Sequence, residues 1–308
     1  MNDPRLGWLA LALVAAATAT PGTSHAASQT FNTALPVAQG SLVLRAQFLY
    51  LKATDDNASD EPGPAERNLD VFGSVAVLGY GVRSDLALFG VLPYLDKQLD
   101  LTMPGGQRVT RSTRGIGDAQ VFARYTLLQK DRRGSTFRLA PFLGIKLPTG
   151  DDDDSDGLGR LPQPLQSGSG SWDPFGGVIA SYQTLDYQLD AQISYRANTE
   201  ANGFEFGDES RLDASLQYRL LPRELGAGVP GFLYGVIEAN LLHQAKSRLA
   251  GASDPDSGGT TLYLAPGLQY VTRRWVLEAI VQIPVVQALG KTALEDDFIV
   301  RTGFRVNF

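Results

Sequence analysis

Few residues of this chain have types and spacing suited to reaction chemistry. There is no cysteine, which excludes thiolate nucleophiles, thiolate metal sites, disulfides and a lipid-bearing anchor residue. Only His25 and His243 are present, too few for a multi-histidine metal centre. A membrane-embedded lipid hydrolase would place a serine two residues beyond its histidine, but that position is Ala245. Ser247, four residues on, lies out of hydrogen-bond reach along a strand. No Gly-x-Ser-x-Gly turn and no glycine-rich phosphate loop occurs. No catalytic set, cofactor or nucleic-acid partner is therefore expected.

A second cluster is acidic. Asp151, Asp152, Asp153 and Asp154, with Asp156 close behind, follow Leu147-Pro148-Thr149-Gly150. Clustered carboxylates suit Ca²⁺, yet the ligand spacing of an EF-hand loop is absent. A solvated outer loop, or divalent bridging to lipopolysaccharide, is the other reading of such a charge run.

The elements that carry these residues alternate with period two. In 185–196, Tyr187, Leu189, Ala191, Ile193 and Tyr195 share one face, while Asp186, Gln188, Asp190, Gln192, Ser194 and Arg196 share the other. Successive side chains of a strand point to opposite faces, so the segment is a strand with one apolar side. A helix would mix the charges into the apolar stripe. The same pattern over the chain predicts twelve strands, near 41–52, 69–83, 85–98, 114–130, 135–148, 172–184, 186–197, 210–221, 231–246, 260–272, 274–287 and 298–308. Their connections alternate between short (Ser84, 131–134, Leu185, 222–230, Arg273) and long (53–68, 99–113, 149–171, 198–209, 247–259, 288–297). An even strand number with alternating loop lengths predicts an all-β, antiparallel up-and-down barrel of the outer-membrane type.

Charge and aromatic residues segregate accordingly. The long loops hold 20 of the 32 acidic residues after Ala26 and only six basic ones. Aromatic residues on the apolar parity gather toward both strand ends, as at membrane interfaces. A soluble sandwich gives no reason for this sorting by loop length.

With the apolar parity facing lipid, the other parity lines a bore. It carries Arg45, Arg124, Arg138, Lys146, Arg196, Arg211, Arg219, Arg301 and Arg305 against Asp118, Asp186, Asp190, Asp213, Glu238 and Glu278. Charges in a narrow space must be paired or hydrated. Two readings stand: a cross-strand ladder of ion pairs that props or fills the barrel, or a field that draws anions and aromatic acids through it. Twelve strands suggest a narrow channel.

The chain starts with Arg5, an apolar run from Leu6 to Ala19, Pro21-Gly22 and Ser24-His25-Ala26. This pattern predicts a secretory signal peptide over 1–26, cleaved after Ala26. Residues 27–40 then form a periplasmic segment, placed where it could fold into the barrel mouth as a plug, and 41–308 form the barrel. Both termini are expected on the periplasmic side of the outer membrane of a Gram-negative bacterium.

Two stretches carry a family resemblance. Gly115-Ile116-Gly117-Asp118 opens a strand that runs through Phe122-Ala123-Arg124-Tyr125, and Gly144-Ile145-Lys146-Leu147-Pro148-Thr149-Gly150 ends the next one. Together they resemble the outer-membrane family named for the meta pathway of phenol degradation, with a G-[IL]-G-D strand start and a K-L-P-T-G strand end. The resemblance implies a barrel that admits hydrophobic or aromatic compounds. Phe308 also resembles the terminal aromatic signal read by the barrel-assembly machinery. The expected partners are outer-membrane lipid, lipopolysaccharide and small organic solutes.

Overall fold

The structure is a computed structural model that describes residues 25–54, 65–224 and 229–308. The expected signal peptide as far as residue 24, residues 55–64 of a long connection and residues 225–228 of a short one lie outside the described residues. Twelve antiparallel strands form the wall: β1 (Leu42–Thr54), β2 (Ala65–Arg83), β3 (Leu86–Thr102), β4, β5 (Ser135–Lys146), β6 (Asp173–Thr184), β7 (Tyr187–Arg196), β8 (Glu209–Leu221), β9 (Gly231–Gln244), β10 (Gly259–Thr272), β11 (Trp275–Leu289) and β12 (Glu295–Asn307). β4 comes in three pieces, Arg108–Ile116, Gln120–Tyr125 and Leu128–Arg132. Neighbours in sequence are neighbours in the sheet, and β12 pairs back onto β1 with Arg45 opposite Arg305. Closure matters because hydrocarbon offers no partner to an unpaired backbone N–H or C=O.

Burial runs opposite to that of a soluble protein. Leu143, Ile193 and Phe72 point outward at 72, 61 and 60 % exposure, whereas Asp213, Gln217 and Gln269 are fully enclosed. An apolar side chain on the outside is stable only against lipid. Rings gather at both rims of this apolar band. Trp275 lies between Tyr270 and Phe304 toward the short-turn end, and Tyr50 packs on Phe72 and Phe298 toward the long-loop end.

The expected long connection over 99–113 is a correction. β3 continues to Thr102 and β4 resumes at Arg108, so only a tight turn closed by Met103 and Gln107 remains. The alternating Val109, Ser112 and Thr113 of this stretch favour extended backbone, and Asp100 and Glu66 accept hydrogen bonds from Thr110 and Thr102 on adjoining strands.

Candidate functional site

Residues 27–40, expected as a periplasmic segment that could plug the barrel mouth, enter the bore. Ala27, Ser28, Gln29, Phe31, Ala34, Leu35 and Val37 are all buried there. An extended segment inside a barrel has no ladder of its own, so its backbone groups need partners from the wall. Carboxylates and amides supply the acceptors. Glu238 accepts from the N–H groups of Gln29 (2.7 Å) and Thr30 (3.1 Å) and from the Thr30 hydroxyl. Asp190 accepts from the Thr33 hydroxyl at 3.0 Å, Ser181 Oγ from the Ala34 N–H at 2.8 Å, and Gln269 Oε1 from the Ala27 N–H at 2.9 Å. Cations supply the donors: Arg45 to the Gln29 carbonyl (3.0 Å), Arg124 to the carbonyls of Thr33 and Leu35, and Arg305 to that of His25. Five of the fifteen charged lining residues thus hold a plug, a role that neither the ladder nor the open field anticipates.

The remaining bore residues form a partial ladder. Arg45 also meets Glu278 at 2.6 Å, Arg219 pairs with Asp186 near the short-turn end, and Arg138 lies 3.9 Å from Asp131. Arg211 reaches Asp213 at 3.3 Å, and Asp213 also accepts from Asn240 at 2.9 Å and Gln192 at 3.2 Å. Arg301 donates to the neutral Gln282 Oε1 at 2.7 Å.

Asp118 and Lys146 leave this set for a different task. Lys146 Nζ sits 3.0 Å from Asp118 and 2.5 Å from Asp173, all three buried. Asp118 also accepts from the N–H groups of Gly150 (3.1 Å) and Ser169 (2.9 Å). The two motifs therefore meet in space. Their meeting closes a weak place in the wall: Arg108–Ile116 of β4 pairs with β3, but β5 stops at Lys146 opposite Gln120 and pairs only with the later pieces of β4, Gln120–Arg124 and Leu128–Arg132. The loop after β5 fills the space beyond. Gly150 and Gly168 pack backbone to backbone there, and a Cβ on Gly168 would meet Gly150 O at 2.3 Å.

The feature that the alternation did not single out is aromatic. Phe89, Phe122, Phe142 and Phe175 project inward from β3, β4, β5 and β6 as one patch. Phe89 stacks on Phe122 at 4.7 Å between ring centres, and Phe142 and Phe175 stand edge-on to Phe122 at 6.1 and 6.0 Å. Gly144 makes room for them, because a Cβ there would lie 2.4 Å from Phe122 Cβ and 2.6 Å from the Phe175 ring. The patch borders a cavity of about 250 Å³ on the long-loop side of the plug, floored by Gln29, Thr30 and Phe31. A smaller cavity of about 110 Å³ lies on the other side, among Val43, Arg305 and Asn307. The signal for the patch was present in strands 85–98 and 135–148, which are apolar on both parities.

The acidic run is spread rather than gathered. Asp152 accepts from Asn202 at 2.6 Å, Asp154 from Thr113, and Asp156 from Arg111 at 2.8 and 2.9 Å. These Arg111 hydrogen bonds hold the Asp156 carboxyl below its ordinary pKa. The described residues contain no group of three or more His, Cys, Asp or Glu side chains placed to hold a metal ion, and the carboxylates of Asp152 and Asp154 go to separate protein partners. His243 lies exposed on the outer face, and its Nδ1 shares a hydrogen bond with Thr260 Oγ1 at 2.8 Å.

Comparison with known proteins joins this geometry to a lineage. Residues 26–283 match the model of the family described as "Putative MetA-pathway of phenol degradation". The chain belongs to this family. An outer membrane channel from Pseudomonas putida F1 shares the fold of this member at a TM-score of 0.66 and 12 % identity, over 88 % of this chain and 97 % of that one. The β domain of a Bordetella autotransporter matches at a TM-score of 0.47 and 12 % identity, over 88 % of this chain and all of that one (100 %). No curated protein matches in sequence. The family member described here thus has the fold of an outer-membrane β-barrel.

Proposed function

We propose that this barrel is a passive uptake channel for small hydrophobic or aromatic organic compounds. The observation that carries the reading is the aromatic patch: Phe122, Phe142 and Phe175, from consecutive strands, line a cavity above the plug, and Phe89 stacks on Phe122. Apolar side chains inside a water-bearing bore are unfavourable unless something apolar covers them. A flat solute does so, and ring faces and edges add orientation. Family membership in phenol degradation supports the same solute class.

The plug supports passage by displacement. Its holds are side-chain hydrogen bonds, the packing of Ala34 in the cluster of Phe122 and Phe142, and a backbone bridge from Gln39 to Gly81, so it can withdraw without opening the wall. In this reading the acidic loops face outward toward lipopolysaccharide. Both chain ends face the periplasm, and Phe308 engages the assembly machinery. The same plug favours a second reading, a sealed barrel that works through its loops.

The test is entry of N-phenyl-1-naphthylamine, an apolar fluorophore that lipopolysaccharide excludes, into Gram-negative cells carrying the protein. Faster fluorescence rise than in cells without it is the expected result. Equal rates would overturn the channel and leave the sealed barrel.

A further inference from the structure

The chamber above the plug has two unlike walls. Val75, Val91, Phe122, Phe142 and Phe175 form one, and Arg196, Glu209 and Arg211 contribute to the other. Arg138 and Arg305 each keep a buried Nε without a hydrogen-bond partner, but other bore cations are closely matched: Arg45 to Glu278, Arg219 to Asp186, Lys146 to two aspartates. The chamber arginines are not. Arg196 approaches Glu209 only at 3.4 Å while its Nε is buried without a hydrogen-bond partner. Arg211 reaches Asp213 at 3.3 Å, but that carboxylate also serves Gln192 and Asn240, and the Arg211 Nε is again buried and unpartnered. Arg45 lines the same chamber as Arg196 and Arg211, and the hydrogen bond of Arg301 goes to a neutral amide.

Like charges crowded in a partly dry space repel strongly, and unfilled guanidinium donors are costly to bury. An incoming anion relieves both. Arginine forks fit a carboxylate through two parallel hydrogen bonds. The Arg196 guanidinium already lies 5.7 Å from the centre of the Phe175 ring, so head and ring sites adjoin. The volume, about 250 Å³, is slightly under the roughly 300–1,000 Å³ of small-molecule sites and suits one small ring system.

We propose that the chamber selects aromatic carboxylates, seating the ring on Phe122, Phe142 and Phe175 and the carboxylate on Arg196 and Arg211. The proposal rests on the uptake reading and names its substrate class. Glu209 is the competitor that the carboxylate displaces from Arg196.

The experiment is calorimetric titration of the folded barrel in non-ionic detergent with 2-naphthoate and with 2-naphthamide, each against a micelle blank. These probes share a ring and differ in charge. The acid should bind at least about tenfold more tightly, a difference of about 1.4 kcal/mol. The pair Arg196→Gln and Arg211→Gln should bring the two affinities together without weakening the amide. Should that variant fail to fold, judged by loss of the faster gel migration of an unboiled barrel, salt supplies the same test on the unaltered chain. Naphthoate binding should then weaken between low and high salt while naphthamide binding stays constant. Equal affinities for acid and amide, or equal salt responses, overturn the proposal. Either result leaves the channel standing as a path for neutral rings, whereas failed fluorophore entry would sink the channel itself.

Discussion

β7 and β8 differ from β3 to β6 in what they show the bore, and the difference separates two tasks. Along β7, Gln188, Asp190 and Gln192 are buried while Leu189, Ala191 and Ile193 are exposed to the outside. Each face meets a different medium, so alternation is strict. β3 to β6 are apolar outward and carry Phe89, Phe122, Phe142 and Phe175 inward as well. In a soluble sheet, apolar residues on both faces mark a strand between two cores. In a membrane barrel one face already has lipid, so the second apolar face is available to a guest. Both walls hold the plug, through Glu238 and Asp190 on one side and through Arg124, Ser181 and the clustering of Ala34 with Phe122 and Phe142 on the other, but only the aromatic wall offers ring faces to a solute above it.

Removing the plug should have the largest consequence. Deletion of residues 27–37 takes away the floor of the chamber and leaves Glu238, Asp190, Arg45 and Arg124 facing water. Conductance in planar bilayers should rise about tenfold, as expected for a twelve-stranded barrel freed of its filling. An unchanged conductance would mean that the two walls close on each other without it, and the contrast between them would lose its meaning.

Phe122→Ala tests the aromatic wall. Phe122 is 7 % exposed and touches Phe89, Phe142 and Phe175. Truncating a packed phenylalanine costs about 3–5 kcal/mol, to be read as a shift in the urea midpoint of the micellar barrel. Fluorophore entry should slow in the same variant. A barrel equally stable without the ring would show that the patch is loosely packed.

Glu238→Ala, on the polar wall, should cost less, about 1–3 kcal/mol for leaving buried donors unpaired. Its effect should fall on the plug: amide exchange at Gln29 and Thr30 quickens while the wall strands keep their protection. If the wall melts with the plug, the two are one cooperative unit.

Which parts were legible follows from the range of the signal. Alternation is local, so Tyr187 to Tyr195 announce a strand and its lipid face unaided, and all twelve strands emerged near their observed positions. Contacts across the bore leave no local trace. Nothing around Glu238 reveals that it binds Gln29 and Thr30, more than 200 residues away. Its charge on the bore parity was readable, its partner was not. Asp118 and Lys146 were visible as motif residues, and only closure of the wall brings them within 3.0 Å of each other. Phe122 escaped notice because an apolar residue between Val121 and Ala123 looks the same whichever face it occupies.

The smallest expected effect concerns the loop after β5, which leans on the outer end of β4, on the aromatic side of the barrel. Asp156 binds the Arg111 guanidinium through both oxygens, and that bond holds its carboxyl below the ordinary value. A depressed carboxyl pKa stabilises the ordered loop above the ordinary value near about 4 and loses that contribution as pH falls through the lowered one. The pair is half-buried and joins a loop to the strand's outer end, so the barrel itself should not notice. A chain without cysteine permits a single label, and Leu158→Cys places one beside the pair at a half-exposed position (54 %). Label anisotropy should hold steady from neutral pH down to about pH 5 and fall once the solution passes below about pH 4. In Arg111→Gln it should be low throughout. A drop that persists unchanged in that variant would assign the pH response to the neighbouring aspartates, and the contact between loop and β4 would then rest on the hydrogen bond from Thr113 to Asp154.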